Sequence, residues 1–219
     1  MFTKKILSIE TSSNVCGISL LENNKVISLV ERKCLREHIE ILPKSFKSLF
    51  ERCDLSFTDV DALAVNIGPG SFTGLRIGLG FTKGLAYSKG LPIIPVPSLL
   101  SLAYSLRESK PFSGMCHSHN KMVYYQEFNW IDKIPYIIKK ATIGSIDEFI
   151  TNSNIGFQSN CDAILNKNTI INKAKPSAIN IGLLASMFYD EWVNNKPYDL
   201  VPDYISQFKV GGNRLEKKD

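Results

Sequence analysis

The residues best suited to phosphate chemistry stand in the turn Gly68-Pro69-Gly70-Ser71. A glycine-rich turn that opens a helix can present free N–H groups and the positive end of the helix dipole to an anion. This run lacks the Gly-Lys-[Ser/Thr] ending of a P-loop, and Pro69 has no N–H to donate. The residues Gly68, Pro69, Gly70 and Ser71 therefore favour a structural turn over a phosphate cradle.

A second grouping, Cys116-His117-Ser118-His119, contains residue types that bind metals. If this run is a strand, Cys116 and Ser118 face one way and the two histidines face the other. At most two ligands then converge locally, whereas zinc takes three or four. We expect surface histidines here and no metal.

A third grouping pairs His38 with Ser45 or Ser71 and could suggest a hydrolase. The sequence contains neither a Gly-x-Ser-x-Gly elbow nor a His-Glu-x-x-His metal helix. Proteolysis is therefore a minor hypothesis, and we expect no catalytic residue.

The elements that must position these residues alternate between strands and helices over the first hundred positions. Apolar runs bounded by turn residues predict strands, and apolar residues at helical spacing predict helices. Asn23-Asn24 suits the tight turn of a hairpin. The pattern predicts a mixed sheet with helices on its faces. Predicted strands are 6–10, 16–21, 26–30, 62–67 and 91–96, and predicted helices are 36–53, 71–88 and 98–104.

The pattern becomes weaker after charged and turn residues at 107–113, which we take as a boundary between lobes. We predict an N-terminal lobe of residues 1–108 and a smaller C-terminal lobe of residues 109–219 with a frayed tail. The second half shows short strands near 115–117, 122–128, 135–138, 155–158 and 169–171. It also shows a brief helix after Ser145 and a clear helix over 177–194.

The helix predicted over 71–88 has an unusually wide apolar surface. Ser71 suits its N-cap, and at about 100° per residue its apolar side chains span an arc of roughly 220°. A helix resting on one core needs only about 100°. Two pairs of glycines at spacing four, Gly74 with Gly78 and Gly80 with Gly84, would also let another backbone approach. The helix is either wholly buried in one domain or covered by a second polypeptide.

Composition places few limits on the partners of the chain. Its 219 residues carry a net charge of +5, and the basic pairs are scattered rather than concentrated on one element. The five cysteines are odd in number and widely spaced, which indicates reduced core residues. No apolar run approaches the length of a membrane span, and we expect a cytoplasmic protein without membrane contact.

Several motifs together resemble one family, TsaB, also called YeaZ. They are Ile6-Leu7-Ser8-Ile9-Glu10-Thr11-Ser12-Ser13, Leu35-Arg36-Glu37-His38 before Ile41-Leu42-Pro43, the run from Gly68 to Gly78, and Leu91-Pro92 followed by Ser98-Leu99. The resemblance is specific over residues 5–105. Beyond them only Val123-Tyr124 and Pro202-Asp203-Tyr204-Ile205 are similar to the family, and Ser206 stands where the family tends to carry Arg.

The resemblance implies an α/β, actin-like (Hsp70 and sugar-kinase type) two-lobed fold with a mixed sheet and a reduced second lobe. It further implies a non-catalytic subunit in threonylcarbamoyl modification of the tRNA adenosine beside the anticodon. The expected partners are TsaD, which transfers the group, and the ATPase TsaE, with tRNA met only through the complex and a homodimer formed by the chain alone. The expected TsaD contact lies on two helices, with interface residues His38, Ile41, Ser45, Leu75, Gly78, Leu79, Thr82 and Ala86.

The resemblance also bears on nucleotide binding. The run Glu10-Thr11-Ser12-Ser13 corresponds to the hairpin at which actin-like ATPases carry an Asp-x-Gly-Thr sequence that binds phosphate. In this chain the glycine is absent and the acid is Glu. We expect no cofactor, with ATP bound by partner subunits. The principal alternative remains an actin-like nucleotide-binding kinase or ATPase.

Overall fold

The computed structural model describes residues 4–152, 154–166 and 169–205. Five strands build a first sheet: β1 (Lys5–Glu10), β2 (Val15–Glu22), β3 (Lys25–Lys33), β4 (Ala62–Gly68) and β5 (Ile93–Pro97). Their spatial order is β3-β2-β1-β4-β5. The first three strands form an antiparallel meander, and β4 and β5 continue parallel to β1. The predicted mixed sheet is confirmed, with Asn23 and Asn24 at positive φ in the predicted turn.

Helices cover both faces of this sheet because its strands are apolar on both sides. Successive side chains of a strand point to opposite faces. Leu7 and Ile9 accordingly pack in one core with α1 (His38–Phe50) and α2 (Phe72–Lys89). Ile6 packs in the other core, which includes α3 (Ser98–Tyr104). Two cores thus share one central sheet.

The second sheet has six strands within the described residues, four of them only two to four residues long, and it holds the weakly predicted strands. Its members are β6 (Ser113–His119), β7 (Met122–Ile131), β8 (Ile134–Ile137), β9 (Thr142–Ser145), β10 (Phe157–Ser159) and β11 (Asn172–Lys173). The order is β11-β10-β6-β7-β8, and β9 also pairs with β7. Strand β9 was not predicted, because four residues leave little pattern. Helix α4 (Ile146–Asn152) follows it, and Ile146 packs with Met115 and Val123.

After the second sheet the chain returns to the first. Helix α5 (Ala178–Met187) packs on β1 and β2, where Ser8 Oγ donates to the Ala178 carbonyl at 2.7 Å. A short helix, α6 (Tyr189–Trp192), follows. The prediction of one helix over 177–194 was wrong in its continuity, because the backbone breaks at Phe188 (φ −103°, ψ 22°). The division at residue 108 stays a prediction. Helix α5 belongs to the second half of the chain but packs on strands of the first sheet.

In residues 4–152, 154–166 and 169–205, no helix has both the length and the apolar character that a bilayer span requires. The expected frayed tail, including Gly211-Gly212 and Ser206, lies outside the described residues.

Candidate functional site

The turn before α2 uses its polar groups within the chain. Ser71 is the N-cap of α2, as predicted, and its Oγ accepts from the Gly74 N–H at 3.2 Å. The Ser71 N–H donates to the Ser12 carbonyl at 2.7 Å. A Cβ on Gly70 would collide with the same Ser12, so glycine is required by this close approach. Two N–H groups that a phosphate would need are therefore engaged, which favours the structural turn.

The hairpin that faces this turn is fixed by a buried carboxylate. Glu10 Oε1 accepts 2.7 Å hydrogen bonds from both the N–H and the hydroxyl of Ser12. Glu10 Oε2 accepts from Asn66 Nδ2 at 3.0 Å. Burial raises the pKa of Glu10 to about 7, against the lowering effect of these hydrogen bonds. Through these hydrogen bonds Glu10 holds the turn between β1 and β2 in place.

We expect the stability of the protein to fall between pH 5 and pH 8 because of Glu10. Its folded pKa of about 7 lies above the reference value of 4.5, so the native state binds the extra proton in this window. Stability must then decrease as pH rises, by up to about 3 kcal/mol for this group. Urea unfolding of the wild type and of Glu10→Gln at both pH values measures the effect. Equal pH slopes for the two proteins would contradict it.

All eight residues predicted for the partner interface are buried inside the chain itself. Leu75, Leu79 and Ala86 are 2%, 4% and 0% exposed, and Leu79 and Ala86 pack in the core that includes Leu7 and Ile9 of the first sheet. Helical spacing defines an apolar arc without showing which part of it meets the sheet, and the assignment of these residues to an interface stays a prediction. The buried set is His38, Ile41, Ser45, Leu75, Gly78, Leu79, Thr82 and Ala86.

The glycines of α2 divide into two pairs with opposite surroundings. A Cβ on Gly74 would collide with the Thr11 carbonyl oxygen, and a Cβ on Gly78 would collide with Thr11 Oγ1. A Cβ on Gly80 or Gly84 would meet no atom of the described residues within 4 Å. The close backbone approach predicted for the first pair is thus made by the chain's own hairpin, and the second pair is open within the part of the chain that the structure describes.

The part of the apolar arc that remains outside forms one surface with α1, which we call the outer face. Ile39 is 67% exposed, and the half-buried rings of Phe46 and Phe81 touch across the two helices with centroids 5.8 Å apart. Helical spacing did predict an arc wider than one core covers, and the outer face is its uncovered portion. The outer face consists of Ile39, Pro43, Phe46, Ile77, Gly80, Phe81 and Gly84.

The polar side of α2 is occupied by the chain's own C-terminal segment, residues 197–204. Lys83 Nζ donates to the Tyr198 carbonyl at 2.7 Å, and Arg76 Nε donates to the Tyr204 hydroxyl at 2.9 Å. Sequence reasoning missed this contact, because these residues are more than 100 positions apart. Within residues 4–152, 154–166 and 169–205, the outer face stays exposed between this segment and α1.

The hydrolase and metal groupings line one cleft of about 1290 Å³, to which His38, Ser71, His117 and His119 all contribute. His38 Nε2 lies 3.3 Å from the Val15 carbonyl oxygen, and the buried Ser45 hydroxyl has no hydrogen-bond partner among the described residues. His117 Nε2 lies 3.1 Å from the Asn120 carbonyl oxygen. Across the part of the chain that the structure describes, no group of three or more Cys, His, Asp or Glu side chains could hold a metal ion.

Two mixed sheets with helices on their faces define an α/β protein of the actin-like class, as predicted. The solved structure of YeaZ from Pseudomonas aeruginosa superposes with a TM-score of 0.76 at 20% identity, covering 92% of this chain and 99% of that one. The structural similarity therefore extends the fold assignment to 92% of the chain, well beyond residues 5–105 that carry the sequence motifs.

The chain belongs to the family described as TsaD: tRNA N6-adenosine threonylcarbamoyltransferase, whose sequence model matches residues 28–188. It is 38% identical over 99 residues to the tRNA threonylcarbamoyladenosine biosynthesis protein TsaB of Escherichia coli, covering 45% of this chain and 42% of that protein. It is 39% identical over 110 residues to TsaB of Bacillus subtilis, covering 50% of this chain and 47% of that protein. The predicted resemblance to TsaB/YeaZ is confirmed, although the match spans less than half of each relative.

Proposed function

We propose that this chain is a non-catalytic subunit of tRNA threonylcarbamoyladenosine biosynthesis that pairs with TsaD through its outer face. The observation that carries the proposal is the uncovered apolar surface of α1 and α2. Exposed apolar patches with open glycines are typical of protein interfaces, because apolar burial and close backbone approach both favour association. The similarity to proteins named for this biosynthesis supplies the pathway.

The choice of TsaD as partner rests on shared structure. The TsaD family model matches this chain over residues 28–188, a range that includes both helices of the outer face. A partner with equivalent helices can place them against α1 and α2 around an approximate two-fold axis, as a homodimer does. The proposal therefore includes a homodimer of the isolated chain through the same face. TsaE and tRNA join through the complex, in the cytoplasm.

The proposal assigns no reaction and no cofactor to this chain. Glu10 accepts three hydrogen bonds from its own hairpin and from Asn66, and Ser71 caps α2. These contacts support a structural use of the cleft residues that a phosphate site would require. The rival proposal, an actin-like kinase or ATPase, predicts magnesium-dependent ATP turnover by the isolated chain, which calorimetry with ATP and magnesium would detect.

Sizing of the purified chain alone and mixed with TsaD tests the proposal. We expect a one-to-one complex with TsaD that replaces any homodimer, because both use the outer face. The mixture is resolved by size exclusion with light scattering at several concentrations. Independent elution of the two proteins at micromolar concentration would contradict the proposal.

A further inference from the structure

A concave site lies where β5 and α3 meet β8 and α6, and α3 packs in a different core from α1 and α2. Its volume is about 380 Å³, which is within the roughly 300–1,000 Å³ range of small-ligand pockets. Aliphatic and proline side chains form part of its wall, and three aromatic residues form the remainder: Tyr136, Phe188 and Trp192.

The three rings make an angular aromatic wall. Phe188 and Trp192 stack with centroids 4.3 Å apart and an interplanar angle of 12°. Tyr136 meets Phe188 nearly at a right angle, with centroids 5.6 Å apart. Tyr136 is 38% exposed, so the wall is open to solvent. In the stack one face of each ring covers the other, and the free face of an aromatic ring attracts a cation, most strongly for Trp.

The charge of the pocket has one sign. Glu191 is exposed at its rim, and no Lys or Arg is among the lining residues. Within residues 4–152, 154–166 and 169–205, no ion pair includes Glu191. We propose that this aromatic pocket binds a small organic cation, of the alkylammonium class, with the carboxylate of Glu191 beside the charge and the aromatic wall against the apolar substituents.

A matched pair of probes tests the charge requirement. Choline and 3,3-dimethylbutan-1-ol have nearly the same shape, and only choline is charged. We expect choline to bind the full chain at least tenfold more tightly than the neutral alcohol, measured by ligand-observed NMR titration and by the change in tryptophan fluorescence. Equal affinity for the two probes, or no saturable binding of choline, would overturn the proposal.

Two exposed glutamates provide the matched variants. Glu191→Gln keeps the shape of the pocket, and we expect it to weaken choline binding about tenfold while leaving the alcohol unaffected. Glu51→Gln, on α1's C-terminal side, is the control and should change neither. Trp192→Phe should weaken choline binding severalfold while the chain stays folded by circular dichroism. Choline affinity unchanged by both Glu191→Gln and Trp192→Phe would place the cation elsewhere and overturn the assignment.

A short peptide containing trimethyllysine separates two sources of the same cation. The cation is assigned to a modified protein side chain if the peptide binds more tightly than choline and if Glu191→Gln weakens peptide binding as much as it weakens choline binding. Weaker binding of the peptide assigns it to a free small molecule. Peptide binding that is indifferent to Glu191→Gln would contradict the site.

Discussion

A Gly84→Arg variant is expected to lose binding to TsaD by at least a hundredfold while remaining folded. Gly84 lies on the outer face, and a Cβ there meets nothing within 4 Å in the isolated chain. Arg should therefore be accommodated in the monomer and should even raise helix stability by up to about 1 kcal/mol relative to Gly. In a complex that brings another helix against this position, the same side chain would prevent close approach. Affinity for purified TsaD by calorimetry, with thermal unfolding of the variant alone, measures both effects.

Gly84→Ala is the control for this experiment. It gains most of the same helix propensity but adds only one methyl group, so we expect a modest effect on pairing. TsaD affinity of Gly84→Arg within threefold of the wild type would show that the outer face is not the interface. Because the monomer tolerates either substitution, a loss of binding could not be attributed to unfolding.

The sequence was sufficient for the first sheet because its signals are local. Asn23-Asn24 fixes a tight turn, Ser71 caps a helix whose first turn includes Gly74, and strands β2, β4 and β5 are mostly apolar. Each of these depends on neighbours within a few residues. The second sheet was predicted less well because its strands β9, β10 and β11 have only two to four residues each.

The candidate site was predicted only as far as the helices that carry it. The wide apolar arc of α2 is visible in the sequence, but its inner and outer parts are chemically alike. Which part meets the sheet depends on the distant Thr11, which packs on Gly74 and Gly78. The aromatic pair Phe46 and Phe81 is a signal that could have located the outer face, since both lie at the edge of their helix's core stripe.

The Glu10 network could not be predicted for a related reason. Glu10 and Asn66 are 56 positions apart, and nothing local to either shows that the parallel pairing of β1 and β4 brings them together. The hairpin sequence instead resembles a phosphate loop that lacks its glycine. In the structure the buried side chain of Glu10 accepts the hydrogen bonds of this turn, from the N–H and the hydroxyl of Ser12.

Gly78→Leu is expected to destabilise the protein by about 3 kcal/mol or more. A Cβ at this position would collide with Thr11 Oγ1, which is buried and has no hydrogen-bond partner among the described residues. Overpacking of this kind typically costs 1–3 kcal/mol for extra methylenes, and here the hairpin that carries Glu10 would also move. Urea unfolding of Gly78→Leu beside Gly84→Leu measures the difference, because the second variant adds the same side chain into open space.

A double-mutant cycle identifies the collision even if Gly78→Leu fails to fold. Gly78→Ala should lose about 1–2 kcal/mol, because its methyl group already meets the Thr11 hydroxyl. Thr11→Ala alone should cost about 1 kcal/mol, because it removes a buried methyl group together with a hydroxyl that has no hydrogen-bond partner among the described residues. Combining them should restore most of the loss, with a coupling energy of at least about 0.5 kcal/mol. Additive effects of the two substitutions would show that Gly78 does not rest on Thr11, and the close approach of α2 to the β1–β2 hairpin would have to be abandoned as the reason for that glycine.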